Sequence, residues 1–265
     1  MPNRPRSTYR ELPPPPALAP YVACLWVQEI GDGDEAYDQP VLPDACIDII
    51  SGGEDVVVAG PATRSSTARL VPGSLTVGIR FRPGAAPPLL GVGAVELRDQ
   101  DATLSEVWGR AAAATVARTT DVSDWRSRLD VLVDGLVDRL DGASPADRVA
   151  TLTVAALADR PGQPVHRLAD DAALSERQLR RRVEAAVGYP PRMLARILRF
   201  QRFLGAARAA RSDRRDLAGL AAEIGYADQA HLTRESRRLA GLPPAALLGW
   251  EAERLEGFGS ARSAR

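Results

Sequence analysis

LADDAALSERQLRRRVEAAVGYPP (168–191) and LAAEIGYADQAHLTRESRRLAGLPP (220–244) are two similar segments near the C-terminal end of the chain. They align when one residue is inserted at the turn, so that Gly188 matches Gly241 and the closing proline pairs coincide. Self-similarity of this kind identifies the repeating unit of the architecture. Each segment has the pattern of a short helix, a tight turn and a second helix that carries arginine. This is the helix-turn-helix plan, which places its second helix in a DNA major groove.

The ends of these helices can be predicted from local signals. Ser175 followed by Gln178 is a capping-box pattern, and Asp228 has the position and chemistry of a second N-cap. Pro190 and Pro191 open a further helix that separates the two units. At about 19 residues and 1.5 Å per residue this helix would be roughly 28 Å long. Such a rod would place the two arginine-bearing helices near one turn of DNA apart, about 34 Å.

The outward faces of the two helices predict the DNA contacts. At 100° per residue each helix has an apolar face and an opposite face that carries arginine. A solvated basic face is the alternative interpretation of one such helix, but two copies at matching positions favour DNA. One arginine paired with guanine contributes roughly 1–3 kcal/mol of base discrimination. The predicted DNA-binding residues are Arg177, Gln178, Arg180, Arg181, Gln229, Ala230, His231, Arg234, Arg237 and Arg238.

The charge of the chain is unevenly distributed, although its formal net charge is zero. Residues 161–265 contain 19 Arg and 12 acidic residues, whereas residues 1–160 contain 15 Arg and 22 acidic residues. The C-terminal part therefore has a net charge of +7 and suits a polyanionic partner. No apolar run approaches the roughly 20 residues of a membrane span. The chain also lacks the apolar core of a signal peptide, so we expect a cytoplasmic protein without a membrane partner.

The N-terminal half has a different pattern, in which short apolar runs alternate with turn residues. This spacing favours a small β-barrel or sandwich. The predicted strands are Tyr21–Ile30, Val41–Leu42, Ile47–Ile50, Val56–Ala59 and Leu75–Phe81. From about Thr103 the period becomes helical, beginning with a Thr103–Glu106 capping box. The expected fold class is α+β, with an N-terminal barrel or sandwich followed by helices and a C-terminal all-α double helix-turn-helix domain.

Composition shifts divide the chain into five regions. The break at 160–164 (RPGQP) is the best candidate for a domain boundary. We expect an extended lead-in at 1–20, a β-rich sensor domain at 21–102, a helical linker or dimerisation region at 103–160, a DNA-binding domain at 161–250 and a tail at 251–265. The apolar helix at 123–141 would form a homodimer surface or pack on the barrel.

Residues 150–249 resemble the DNA-binding domain of AraC/XylS-type transcription regulators. The resemblance rests on SERQLRR (175–181), AEIGYADQAHLTRE (222–235) and AGLPP (240–244). The resemblance implies that the base-facing positions are Arg177, Arg180 and Arg181 in the first unit, and Ala230, His231 and Arg234 in the second, with Gln229 nearby.

One residue departs from this family pattern. The family usually has a large aromatic residue at the inward position of Ser236. Serine at this position predicts a loss of core volume, which would loosen the second unit unless a neighbour such as Trp250 fills the space.

The N-terminal half resembles less-described sensor domains that are joined to such helix-turn-helix pairs, and it is placed with the cupin-like β-barrels. The matching stretches are LPDACIDII (42–50), VAGPAT (58–63) and GIRFRPGA (78–85). A cupin metal centre needs histidine and carboxylate ligands on its strands. Since His166 and His231, the only histidines, lie in the C-terminal half, we expect no metal and no cofactor.

Asp44, Arg80 and Arg82 are the candidate effector-binding residues. The two arginines flank Phe81 and could bind an anionic effector, although a structural salt bridge explains them equally well. Asp44 alternates with Cys46 and Asp48 and could line a pocket. The alternative places Asp44 in a turn and Cys46 in the core.

The predicted function is that of a sequence-specific DNA-binding transcription regulator, without enzymatic activity, whose N-terminal domain responds to a small-molecule effector. An alternative is a DNA-repair sensor that transfers alkyl groups and carries the same DNA-binding module. Such enzymes need a reactive cysteine and usually a cysteine-rich zinc site, whereas this chain has only Cys24 and Cys46, both in apolar contexts. A second alternative is a regulator whose N-terminal domain binds only protein. The expected partners are double-stranded DNA, the effector, a second copy of the chain and, for an activator, RNA polymerase.

Overall fold

The N-terminal half is built on an antiparallel sheet. The computed structural model describes residues 7–33, 35–52, 55–209 and 217–257. The strands in these ranges are β1 (Thr8–Leu12), β2 (Val22–Glu29), β3 (Tyr37–Val41), β4 (Asp48–Ser51), β5 (Val56–Ala59), β6 (Ser66–Leu70), β7 (Leu75–Phe81) and β8 (Asp101–Thr103). Six of them form one sheet in the order β1-β2-β7-β4-β5-β8, while β3 and β6 pair as a separate ribbon. Gln28 on β2 donates a hydrogen bond to Gln39 on β3 (3.0 Å), which ties the ribbon to the sheet.

One face of the sheet carries the N-terminal core. Alternate strand residues such as Val27, Val77 and Ile79 are fully buried there, because successive side chains of a strand point to opposite faces. Four helices accompany the sheet, namely α1 (Pro87–Leu90), α2 (Leu104–Trp108), α3 (Ala112–Thr120) and α4 (Trp125–Val137). Leu129, Leu132 and Leu136 give α4 its apolar face, and they lie in the same core as the strands. The apolar helix predicted at 123–141 therefore packs on the sheet.

Residues 7–20 differ from the expected extended lead-in. Thr8–Leu12 pairs with Leu25–Glu29 as the edge strand β1. Beyond the proline run, Leu18 is fully buried in the sheet core. The sequence pattern also does not predict the strands β6 and β8. Their sequences, STARL and DAT, lack the apolar alternation that marks a strand, and their pairing with distant residues determines their conformation.

The C-terminal half consists of helices that pack around a long central one. They are α5 (Arg148–Asp159), α6 (Val165–Asp171), α7 (Glu176–Val187), α8 (Pro191–Ala209), α9 (Leu217–Ile224), α10 (Gln229–Ala240) and α11 (Pro244–Gly257). Their core includes the fully buried Leu179, Leu194, Phe200 and Leu232. No helix in the described ranges is long and apolar enough to cross a membrane.

The boundary expected at 160–164 does not separate the two cores, and the prediction needs correction. Helix α5 lies on the N-terminal side of this stretch, yet its buried Ala150 and Leu157 belong to the C-terminal core. The stretch itself is a turn within that domain, since Arg199 on α8 donates to the carbonyl of Pro161 (3.2 Å). The chain instead leaves the sheet core near Ala143, after the 3₁₀ turn at Leu140–Gly142.

Candidate nucleic-acid interface

Helix α7 begins and ends as its sequence predicts. The Ser175 hydroxyl accepts a hydrogen bond from the backbone N–H of Gln178 (3.3 Å), and the Gln178 side chain accepts one from the backbone N–H of Ser175 (2.9 Å). The helix ends at Gly188, whose φ of 92° is left-handed. Leu179 and Val183 are fully buried on its inner face. Both ends and one face of α7 are therefore fixed.

The outer face of α7 presents three exposed arginines, Arg177, Arg180 and Arg181. Arg180 forms an i,i+4 ion pair with Glu184 (3.1 Å). Gln178 is also exposed, but its carbonyl oxygen is occupied by the capping box, so only its amide N–H groups are available for a ligand. Arg177 and Arg181 thus have the most available donors among the predicted contacts of this unit.

Helix α10 occupies the equivalent place in the second unit. A carboxylate oxygen of Asp228 accepts a hydrogen bond from the backbone N–H of His231 (2.5 Å), which confirms the predicted N-cap. Gly241 ends the helix with a φ of 74°. Arg196 on α8 holds α10 through two hydrogen bonds to the carboxylate of Glu235, at 2.7 and 3.0 Å. This bidentate geometry fixes both the position and the rotation of α10 against α8.

The outer face of α10 carries exposed side chains at five predicted positions, Gln229, Ala230, Arg234, Arg237 and Arg238. His231 differs from these because it is half-buried. Its Nδ1 accepts a hydrogen bond from the backbone N–H of Ala227 (3.4 Å), and its ring stands edge-on to Tyr226 at 5.3 Å. The imidazole therefore helps to build the turn, and only its Nε2 edge is available for DNA.

Helix α8 is the rod between the two units. It has 19 residues and is therefore about 28 Å long, as the sequence predicts. Ile197, Phe200 and Leu204 are fully buried along it, whereas Met193 is only half-buried. Both α7 and α10 pack against this rod, so that α8 carries the two arginine faces.

Comparisons with known proteins agree with this geometry. Residues 168–249 match the family model described as a helix-turn-helix domain. The C-terminal part of the chain is an AraC-type helix-turn-helix domain. It is a DNA-binding domain of the kind found in transcription regulators. Residues 10–103 match a family described as a domain of unknown function (DUF6597).

Solved structures of ToxT from Vibrio cholerae are similar to the chain. An apo ToxT variant from strain SCE256 is 12% identical with a TM-score of 0.45, and the match covers 85% of this chain and 96% of ToxT. ToxT from strain O395 is 10% identical with a TM-score of 0.43, covering 81% and 96%. Unsaturated fatty acid-bound ToxT is 11% identical with a TM-score of 0.39, covering 94% and 97%. No curated protein matches the chain.

Ser236, the departure from the family pattern, forms a hydrogen bond inside the AraC-type domain. Its side chain is fully buried, and its hydroxyl donates a hydrogen bond to the carbonyl of Leu242 (2.7 Å). The bond connects the last turns of α10 to the segment that leads into α11. Trp250 is partly buried against the same core. Serine therefore replaces apolar volume with a hydrogen bond that closes the C-terminal turn of α10.

In the N-terminal half, the structure brings two of the three candidate effector residues together. The Nε of Arg80 lies 3.2 Å from a carboxylate oxygen of Asp48 and 3.7 Å from one of Asp44. Arg82 instead donates to the carbonyl of Ala19 (2.9 Å) and is not part of this group. Asp44 lies in the loop before β4, where its carboxylate accepts from the backbone N–H of Cys46 (2.9 Å), which agrees with the turn interpretation, whereas Cys46 is half-buried and does not belong to either core.

Asp48 and Trp26 complete the cluster around Arg80, although neither is among the predicted site residues. The indole N–H of Trp26 donates to Asp48 (2.9 Å), and the cross-strand register places Asp48 beside Arg80. Burial, together with the charge of Asp44, raises the pKa of Asp48 to about 6, although Arg80 and the indole oppose this shift. The alternation of Asp44, Cys46 and Asp48 was visible in the sequence, but the register between β4 and β7 was not.

Proposed function

We propose that the chain is a sequence-specific transcription regulator whose units α6–α7 and α9–α10 read adjacent major-groove segments of one DNA site. The observation that carries this proposal is the matched pair α7 and α10, each capped at its N-terminus, buried on one face and exposing arginine on the other. The length of α8, about 28 Å, is compatible with two contacts near one helical turn of DNA apart.

The available donors suggest different roles for the exposed residues. Arg177 and Arg181 lie in the N-terminal half of α7, and either can donate two hydrogen bonds to one guanine. Arg234 is the corresponding donor on α10, and the methyl group of Ala230 suits contact with a thymine methyl. Arg238 lies in the last turn of α10, where contact with phosphate is the expected role.

Selection of bound duplexes from random DNA, with the full-length chain, tests the proposal. We expect an enriched site with two half-sites about one helical turn apart. Replacing Arg181 with alanine should weaken binding and relax the base preference at one position, by roughly 1–3 kcal/mol of discrimination. Replacing Arg238 should weaken specific and random DNA alike and reduce the salt dependence by about one phosphate contact.

The control for these variants is Arg110→Ala, which removes the same charge from an exposed residue of the N-terminal half. Equal losses on specific and random DNA for Arg181→Ala would contradict its role as a base reader. Enrichment of no sequence at all would refute the proposed function.

The cluster of Arg80, Asp44, Asp48 and Trp26 supports an effector site as the finer part of the proposal. Arg80 and Asp44 retain about a third of their side-chain exposure (29% and 32%), so both are accessible to a small molecule. A polar small molecule that contacts this cluster would shift the affinity for DNA. The effector site is tested by adding candidate metabolites to wild type and to Arg80→Gln and by measuring the thermal stability of each protein.

Protein partners form a separate part of the proposal. A partner protein at the N-terminal domain, a homodimer or contact with RNA polymerase would appear in sedimentation and co-purification experiments.

The chemistry of the two cysteines favours a regulator over an alkyl-transfer enzyme. Burial raises the pKa of the Cys24 thiol to about 11 and also raises the pKa of Cys46. Because the thiolate is the nucleophile, both side chains would be weak nucleophiles near neutral pH. Within the described ranges, no group of three or more His, Cys, Asp and Glu side chains is placed to hold a metal ion. Incubation with alkylated DNA followed by mass spectrometry would detect any transfer to either cysteine.

A further inference from the structure

Two loops of the N-terminal half are tied together beside the AraC-type domain, and we call them the bracket (residues 60–65 and 93–99). Asp99 connects them, since its carboxylate accepts hydrogen bonds from the backbone N–H and the hydroxyl of Thr63, at 2.6 and 2.9 Å. The backbone N–H of Asp99 in turn donates to the carbonyl of Pro61 (3.2 Å). Asp99 holds a left-handed φ of 59°, a conformation that these local bonds stabilise.

The bracket contacts the C-terminal end of α7. The backbone N–H of Ala94 donates to the carbonyl of Ala185 (3.0 Å), and the guanidinium of Arg98 donates to the carbonyl of Gly188 (3.2 Å). Pro61 packs so closely that a Cβ built on Gly188 would lie 2.6 Å from its ring. The end of the first arginine-bearing helix is therefore fixed by both loops.

The same bracket contacts the C-terminal end of α10. The backbone N–H of Ser65 donates to the carbonyl of Leu239 (2.7 Å). Its hydroxyl oxygen lies 3.8 Å from the position of a Cβ on Gly241. The carbonyls of Ala185 and Leu239 belong to the last turns of their helices, where carbonyl groups have no partner within the helix. The N-terminal domain supplies these partners in both units.

The bracket binds the ends of α7 and α10 that lie away from the exposed base-facing residues. Arg177 and Arg181 lie in the first half of α7, and Ala230 and Arg234 lie in the first half of α10. Contact with DNA and contact with the bracket therefore do not compete. Since both helices also pack on α8, the bracket is a second connection between them.

We propose that the bracket fixes the distance and angle between the two recognition helices, and that Asp99 is its positioning residue. The N-terminal domain would then help to set which half-site spacing the protein accepts. This inference rests on the proposed function, since it requires that both α7 and α10 contact DNA.

The test uses the full-length chain and the DNA site enriched from random sequences. Affinities are measured for that site and for duplexes whose half-sites are moved by one base pair in either direction. The readout is the ratio between native and altered spacing. A change in the folded fraction alone does not affect this ratio.

Replacing Asp99 with alanine removes the acceptor that joins the loops. We expect the spacing ratio to fall by at least about tenfold, because the change removes two hydrogen bonds to Thr63 and the loss of even one charge-assisted hydrogen bond has about that effect. Asp99→Asn keeps an acceptor for Thr63 and should retain most of the wild-type ratio. Asp101→Ala is the matched control, since it removes the same charge from an exposed residue on the adjacent strand and should leave the ratio unchanged.

A second variant keeps the proposal testable if Asp99→Ala does not fold. Arg98→Met removes the donor to the Gly188 carbonyl, and Arg110→Met, at an exposed position outside the bracket, is its charge control. A wild-type spacing ratio in Asp99→Ala or, where that variant does not fold, in Arg98→Met would overturn the proposed role of the bracket. The proposed function would not be affected by that result. A wild-type chain that enriches no sequence would overturn both.

Discussion

Replacing Gly188 with alanine should destabilise the protein more than the same change at the equivalent position of the second unit, Gly241. Both glycines end a recognition helix with a left-handed φ, 92° at Gly188 and 74° at Gly241. Alanine in that conformation costs roughly 1–2 kcal/mol because its Cβ approaches the following carbonyl oxygen. This cost is common to both positions, so it cancels when the two variants are compared.

The surroundings of the added methyl group differ between the two positions. At Gly188 the Cβ would lie 2.6 Å from the Pro61 ring and 3.0 Å from the backbone oxygen of Ala94. At Gly241 the nearest atom is the Ser65 hydroxyl at 3.8 Å, an ordinary contact. Forcing a methyl group into a packed site costs about 1–3 kcal/mol, so Gly188→Ala should lose about 2–5 kcal/mol and Gly241→Ala about 1–2 kcal/mol.

Urea unfolding followed by far-UV circular dichroism and tryptophan fluorescence measures both losses. Gly225→Ala is a further control, because Gly225 has a φ of 89° but nothing within 4 Å of a built Cβ. It should behave like Gly241→Ala. Equal losses at Gly188 and Gly241 would show that Pro61 and Ala94 do not press on the end of α7, and this result would refute the packing argument.

Two further changes test the cluster of Arg80, Asp44, Asp48 and Trp26 and the end of α10. The pKa of Asp48 is raised to about 6 in the folded protein, against an ordinary value of 3.8, so the folded state binds this proton more tightly than the unfolded state does. The stability that the protonated Asp48 contributes is therefore complete below about pH 4 and is lost as the pH rises through 6. Asp48→Asn cannot titrate, so its free energy of unfolding relative to wild type should improve by up to about 3 kcal/mol between pH 4 and pH 7, and a difference that is constant with pH would contradict the cause given for the shift. Ser236→Ala removes the donor to the Leu242 carbonyl and should cost about 1 kcal/mol in chemical unfolding; unchanged stability would mean that this bond contributes nothing.

The parts of the fold that the sequence predicts well are those determined by neighbouring residues. The capping boxes at Ser175 and Thr103 and the N-cap at Asp228 involve groups within three residues of each other. Such bonds form whenever the local helix forms, so their pattern is sufficient evidence for them. The buried faces of α7 and α10 follow from the helical period for the same reason.

The features that the sequence does not predict depend on residues far apart in the chain. The edge strand Thr8–Leu12 has little strand character of its own, and its pairing with β2 defines it. The assignment of α5 to the C-terminal core depends on contacts with α7 and α8, which no local period reveals. Asp99 likewise has no motif, because its role depends on Thr63 in another loop. Long-range register and packing are thus the missing information.

Local structure also decides which predicted DNA contacts are available, and this makes the two units unequal. A polar side chain near a helix start can cap or brace the backbone as well as face DNA, and one group cannot do both fully. Gln178 uses its carbonyl oxygen in the cap of α7, and His231 uses Nδ1 in the turn before α10. An arginine side chain is longer and has five N–H donors, so a local hydrogen bond still leaves donors available for DNA. Since three exposed arginines remain on the first half of α7, against Arg234 alone on that of α10, we expect the first unit to supply more of the base discrimination. A larger loss of sequence preference in Arg234→Ala than in Arg181→Ala, in the same selection experiment, would contradict this order.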